Sequence, residues 1–147
     1  MINVLIRDTA GQEKYRALNE SYYKEADCIL LIYDISERHS FEECNNYFKY
    51  NIKEKCKENI IVILLGNKTD LEYQRQISSE EAANFALENN YIYMETSCAR
   101  NQNVTDAFET LIEITNIELK KNNNKINSLK LNINKINTKK NKQKSES

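Results

Sequence analysis

Four short, nearly continuous apolar runs mark the chain: INVLIRD (2–8), ADCILLIYD (26–34), NIIVILLGN (59–67) and YIYMETS (91–97). Their Ile, Leu, Val and Tyr barely alternate with polar residues, the pattern of strands buried on both faces. Between these runs, apolar positions recur at helical spacing. Ser40 opens S-F-E-E, a predicted capping box with Glu43, and Phe41, Cys44, Phe48 and Ile52 form one face behind it. Ser78 opens S-S-E-E, a second predicted box with Glu81, followed by Ala82, Phe85 and Ala86. A third helix is predicted from about Asn103 to Lys120, with Val104, Ala107, Phe108, Leu111, Ile112 and Thr115 on one stripe. Strands alternating with helices predict an α/β fold, a mostly parallel sheet with flanking helices.

In such sheets ligands collect beyond the carboxyl ends of the strands. That rule selects positions 8–12, 34, 67–70 and 97–99. GNKTD (66–70) directly follows an apolar run. An Asp carboxylate there can accept parallel hydrogen bonds from N1–H and the exocyclic N2–H of guanine, which adenine does not offer. Hydrogen bonds to a charged group contribute about 1.5–3 kcal/mol each, so Asp70 alone could separate the two purines. Asn67 can bond guanine N7 and tie loops together, and the Lys68 stem can lie over the base with its charge in solvent. A plain polar turn would also suit NKTD. ETSCA (95–99) ends the last run. A tight loop there would aim the N–H groups of Cys98 and Ala99 at guanine O6, with Ser97 holding Asp70. DTAGQE (8–13) ends the first run. Asp8 could hold a water on Mg²⁺. Ala10 and Gly11 would stand beside phosphate, Gly11 close enough to donate its N–H. Gln12 could orient an attacking water, as phosphoryl hydrolysis needs. A surface turn would serve DTAG equally.

In this order and at corresponding strand ends, the three motifs resemble those of the Ras-like small GTPases. DTAGQE looks like switch II, GNKTDL the guanine-specificity motif and ETSCA the last base-contacting loop; AGQEKYR, SYYKEADCILLIYDIS and SFEE resemble the Rab branch. The likeness covers about residues 2 to 118. It implies a P-loop NTPase fold and a molecular switch in vesicle traffic that binds GTP or GDP with Mg²⁺ and hydrolyses GTP, Gln12 placing the water. It further implies Rab effectors and exchange factors as partners and a cytoplasmic location, peripheral on endomembranes. The family opens with a strand, G-x-x-x-x-G-K-[ST], a helix and a loop bearing a Mg²⁺-binding Thr. Gly11 and Gly66 are the chain's only glycines, so that motif does not occur in it. The domain is therefore expected to lack its first strand-helix-strand unit, and this chain is expected to bind GTP poorly and be inactive alone. The alternative is a non-catalytic Rab-like interaction module.

Three departures bear on partners. Arg7 stands where the family has a Trp that joins a residue matching Tyr22 in an effector-facing cluster. Cys98 and Ala99 replace the Ala and Lys of the usual S-A-K. The family's C-terminal lipid-bearing cysteines have no counterpart here, so no lipid anchor is expected.

Charge and composition refine this picture. Residues 121–147 carry eight Lys and one Glu, a net of +7, against 13 basic and 21 acidic residues in 1–120, a net of −8. The division predicts a partial GTPase domain over 1–120 and an Asn/Lys-rich tail over 121–147, disordered or a helical extension. Ile126, Leu129, Ile133 and Ile136 give the tail a short apolar stripe, and its basic face suits weak contact with an acidic membrane. Nucleic acid is not an expected partner. The four cysteines show no metal-like spacing, and Cys28 and Cys44 read as buried free thiols of a reducing compartment. No run is long and apolar enough to span a membrane, and the first residues do not read as a signal peptide.

Overall fold

The computed structural model describes residues 3–9 and 16–121, with no side-chain placement for 16–20 and 51. Ala10, Gly11 and Gln12, and the stripe Ile126, Leu129, Ile133 and Ile136, lie outside the described residues. The chain divides into two compact units, 1–112 and 113–147. In the second, residues 113–121 are helical. Lys121 there pairs with Glu118 at 2.6 Å.

In the first unit, strands β1 (Cys28–Asp34), β2 (Ile61–Asn67) and β3 (Ile92–Glu95) form a parallel sheet in the order β1-β2-β3. Helices α1 (Arg16–Glu25), α2 (Arg38–Tyr47), α3 (Ser79–Glu88) and α4 (104–112) accompany them. The α/β class is as the pattern predicts. One face of β1 and β2, carrying Leu31, Tyr33, Val62 and Leu64, packs in a core with Phe41 and Phe48 and with Ala82 and Ala86 of α3. Phe41 meets Tyr33 edge-on at 4.9 Å and Phe85 at 5.3 Å. These contacts match the predicted apolar face of α2, which continues past Tyr47 as a wider turn over Phe48–Ile52.

The first predicted strand does not form. Residues 3–9 belong to no strand and are exposed, Leu5 by 75% and Ile6 by 66%. A strand needs a neighbour to take its N–H and C=O groups. Among the described residues, only β2 pairs with β1. Burial on both faces accordingly holds for β2 and fails for β1. Ile63 and Leu65 are buried, yet Ile32, register partner of Leu65, is 54% exposed.

The two predicted capping boxes fare differently. At α3, Ser78 Oγ accepts the Glu81 N–H at 3.0 Å, while the Glu81 carboxylate turns away to Arg38, 2.9 Å from its Nη2. At α2 the helix starts earlier than predicted, at Arg38, with Glu37 in the cap position and making no side-chain capping bond. Ser40 lies inside the first turn and donates to Glu37 O at 2.8 Å, while accepting the Asp34 N–H at 2.9 Å. The hydroxyl was free to bridge because α2 follows β1 with so short a connection that Ser40 still reaches the strand end.

Gly66 sits opposite Tyr33 in the register. A Cβ at Gly66 would lie 2.8 Å from Tyr33 Oη and 3.2 Å from Ile35 Cγ2. The glycine is thus required by packing and not by backbone conformation. Gly66→Ala should cost about 1–3 kcal/mol through overpacking. Urea unfolding of the full chain measures this, and a loss under about 0.5 kcal/mol, within the range of neutral surface changes, would contradict the close approach.

Candidate functional site

The parallel register brings three strand ends to one edge. Asp34 pairs with Asn67, and Gly66 with Glu95. Beyond Asn67 the chain turns sharply at Lys68, whose φ of 69° and ψ of 40° are left-handed. Its Nζ lies 2.6 Å from Asp34 Oδ2. Asp34 Oδ1 accepts from Ser36 N and Oγ at 2.8 and 2.6 Å. Burial pushes the Asp34 carboxyl up, but the bonds from Lys68 and Ser36 outweigh it and hold the group below its ordinary range. The Lys68 ammonium thus pairs with Asp34 while its side chain stays half exposed.

The 67–70 and 96–99 loops are joined by a ladder of hydrogen bonds. Thr96 N–H donates to Gly66 O at 2.8 Å and Thr69 N–H to Thr96 O at 3.1 Å. Asn67 Oδ1 accepts from Thr96 Oγ1 and from the Cys98 N–H, both at 3.3 Å. Ser97, fully buried, donates from Oγ to Asp70 Oδ1 at 2.5 Å and accepts the Arg100 N–H at 3.1 Å. Its backbone exchanges two hydrogen bonds with Gln102, which closes the turn. Asn67, Lys68, Asp70, Ser97, Cys98 and Ala99 are thus brought together. Asp70 Oδ2 and the Ala99 N–H make no hydrogen bond among the described residues. The Cys98 N–H does, so of the two donors inferred from ETSCA only that of Ala99 stays available.

The switch-like residues are less assembled. Asp8 is exposed. No group of three His, Cys, Asp or Glu side chains among the described residues could hold a metal ion. The Arg7 guanidinium lies 4.4 Å from the ring centre of Tyr22, a cation–π contact where two aromatics were the resemblance's pattern.

A cluster of charges around Arg75 lies behind these loops. Arg75, 14% exposed, bonds Glu72 through Nε and Nη2 at 2.8 and 2.7 Å, and Glu95 through Nη1 and Nη2 at 2.8 and 3.1 Å. Glu95 also accepts from Ser79 Oγ at 2.9 Å and from the Tyr93 hydroxyl. Burial raises the Glu95 carboxyl, but Arg75, Tyr93 and Ser79 lower it further, and the net shift is downward. The only sequence sign of this cluster was Glu72 three positions before Arg75; Glu95 is 20 residues further on.

A model of the Ras family matches residues 1–117. The chain belongs to the Ras family. Among its relatives, the GTP-binding protein ypt3 of Schizosaccharomyces pombe is 44% identical over 111 residues, 76% of this chain and 51% of that protein. Ras-related protein Rab11D of Nicotiana tabacum is 41% identical over 122 residues, 82% of this chain and 54% of that protein. Ras-related protein Rab-2B of Dictyostelium discoideum is 41% identical over 112 residues, 76% and 55% of the two chains. These relatives place the chain in the Rab branch. It spans about half the length of the curated relatives it matches. Its parallel sheet and flanking helices agree with the α/β fold of Ras-family domains.

Several carboxylates here have lowered pKa values: Asp34, Glu72, Glu81 and Glu95. A lowered folded-state pKa gives stability that is complete above the unfolded value and lost as pH falls through the folded one. Stability should hold from neutral pH to about 5 and fall steeply below about 4.5, the ordinary Glu range. Glu95→Gln should be less stable than the parent at pH 7 and lose less on acidification. Denaturant midpoints at pH 7 and pH 3.5 measure both, and parallel acid losses in the two proteins would count against this role for Glu95.

Proposed function

We propose that this chain carries the guanine-recognition part of a Rab-type GTPase acting in vesicle traffic. The observation that supports it best is the ladder between the 67–70 and 96–99 loops. One Asp70 oxygen is held by Ser97, and the other, with the unpaired Ala99 N–H, is left at the strand ends. An acceptor for N1–H and N2–H beside a donor for O6 fits guanine and mismatches adenine. Asn67 has its Oδ1 engaged with the facing loop, which leaves its amide NH₂ to donate to N7. Lys68 keeps its stem at the turn while Asp34 takes its charge.

Phosphate and metal chemistry would fall to Asp8, Ala10, Gly11 and Gln12, with GTP or GDP and Mg²⁺ as ligands and Gln12 orienting the water. The bound Mg²⁺ would neutralise phosphate charge. The G-x-x-x-x-G-K-[ST] stretch that holds phosphates in the family is not among these 147 residues, so the chain alone should bind nucleotide mainly through the base. The domain reading remains a GTPase body over about 1–120 followed by the basic tail. Exchange factors and effectors are the expected protein partners, and the cytoplasmic face of endomembranes the expected location. No described helix is long and apolar enough to cross a membrane.

Arg7 over Tyr22 favours a second reading, a Rab-like interaction module without turnover. It puts a cation on a face where the family carries an indole, so its partners would differ in charge. Nucleotide binding separates the two readings.

The test uses the isotope-labelled 147-residue chain and NMR. GDP at millimolar concentration should shift the amides of Asp70, Ser97 and Ala99, while ADP leaves them in place. Asp70→Asn should weaken GDP by roughly 100-fold or more, the loss of two charge-assisted bonds. It should also admit xanthosine diphosphate, whose C2 oxygen accepts from the Asn amide. A parent chain indifferent to GDP, or one that answers GDP and ADP alike, would sink the guanine reading and leave the interaction module.

A further inference from the structure

Arg75 stands outside the proposed base site, yet every N–H of its guanidinium is used. Nε–H donates to Glu72 Oε1 and Nη2 to Glu72 Oε2 and Glu95 Oε2. Nη1 donates to Glu95 Oε1 and, at 3.0 Å, to Ile77 O. Those bonds occupy all five donors of the planar fork. The two carboxylates lie on different elements. Glu72 belongs to the short turn Thr69–Gln74 that also carries Asp70. Glu95 ends β3, two residues before Ser97. Asn103, whose φ is 57°, donates from its side chain to Glu95 O at 3.0 Å and so ties the far side of the second loop to the same residue.

We infer that Arg75 is a positioning residue that clamps the Asp70 loop to the Ser97 loop and so sets the alignment of Asp70 against a guanine base. The ladder from Asn67 and Ser97 joins the loops at the site; Arg75 joins them from behind through Glu72 and Glu95. A bidentate guanidinium–carboxylate contact fixes both distance and plane, which a single ammonium cannot do. With both contacts in place the loops move as one body. Without them, the loops keep the ladder from Asn67, Thr69 and Ser97 at the site but lose their attachment behind it, and Asp70 is held on one side only. The inference rests on the guanine reading above for its effect on binding, not for its effect on the loops.

Two measurements on the full chain decide it, with Arg75→Lys keeping the charge and losing the fork. The first is the preference for GDP over inosine diphosphate. Inosine lacks the N2 amino group, so this preference reads Asp70 alignment and not the amount of folded protein. It should fall roughly tenfold in Arg75→Lys, the worth of one charge-assisted hydrogen bond. The second is amide hydrogen exchange without ligand. It should quicken in both 67–74 and 95–102 while β1 and α2 keep their protection. Glu72→Gln, a surface change, opens one side of the clamp alone and serves if Arg75→Lys folds poorly; exchange should then quicken in 67–74 more than in 95–102. Lys57→Ala, which removes an ion pair with Asp27 elsewhere, should change neither readout. A lower melting temperature with unchanged GDP preference and unchanged loop exchange overturns the inference and leaves Arg75 a structural residue. Should the parent chain fail to bind GDP, the guanine reading falls, and loop exchange alone decides the clamp: quickening in both loops upholds it, no quickening overturns it.

Discussion

Everything at the strand ends depends on the parallel register on either side of β2. Asn67 is aligned with Asp34 and Gly66 with Glu95, so turns that are far apart in the chain begin at the same height. The register is strongly specified because β2 is buried on both faces. A slip by one residue would exchange Val62 and Leu64 for Ile63 and Leu65 against the aromatic core, and would remove Gly66 from beneath Tyr33. The glycine and the tyrosine act as a size-matched pair, and that pair pins the last residues of both strands before either turn starts.

Given that alignment, the polar groups at the edge are supplied almost wholly by one another. Asn67 holds the backbone of Cys98, Ser97 holds Asp70, Asp34 holds Lys68 and Arg75 holds Glu72 and Glu95. Partly buried polar atoms are costly when unpaired, so a network in which Thr69 Oγ1 is the buried side-chain atom of these two loops left without a partner among the described residues is stiff. It leaves unpaired only a few groups that a ligand could satisfy. Asp70 Oδ2 and the Ala99 N–H stand out because their neighbours are already committed. The same logic changes the reading of ETSCA: Cys98 serves the architecture of the loop through its N–H, and its exposed thiol takes no part in the ladder. Cys44 is the opposite case, a thiol pushed up to about 12 by burial and held protonated on the core face of α2.

Much of this edge was legible in the sequence because its determinants are local. NKTD and ETSCA each sit immediately after an apolar run, and the side chains that meet are within a few residues of a strand end. Ser78 at α3 was legible for the same reason, since a cap and its N–H are three residues apart. The Arg75 cluster was not, because a guanidinium finds partners across 20 residues of chain only once β3 and the turn after β2 have been placed. Ser40 misled for a related reason. Its S-F-E-E pattern fits a cap, but the strand end at Asp34 lay within reach and offered an N–H of its own. Lys68 gave no local sign that its charge would meet Asp34, because that pairing depends on the alignment of β1 with β2.

INVLIRD shows where periodicity stops being informative. Its composition matches β1 and β2, yet residues 3–9 form no strand. An apolar run states that a segment will be a strand if a partner edge is present; it carries no information about the partner. β2 has two partners and is buried on both faces, β1 has one among the described residues and leaves Ile32 open, and residues 3–9 have none and leave Leu5 and Ile6 open. The degree of burial follows the number of paired edges more closely than the apolar content of the run. The lesson carries over to the Asp8 end of that segment. At β2 and β3 the strand ends position side chains to within hydrogen-bonding distance of each other, whereas Asp8 lies in a segment with no paired edge among the described residues and stands exposed.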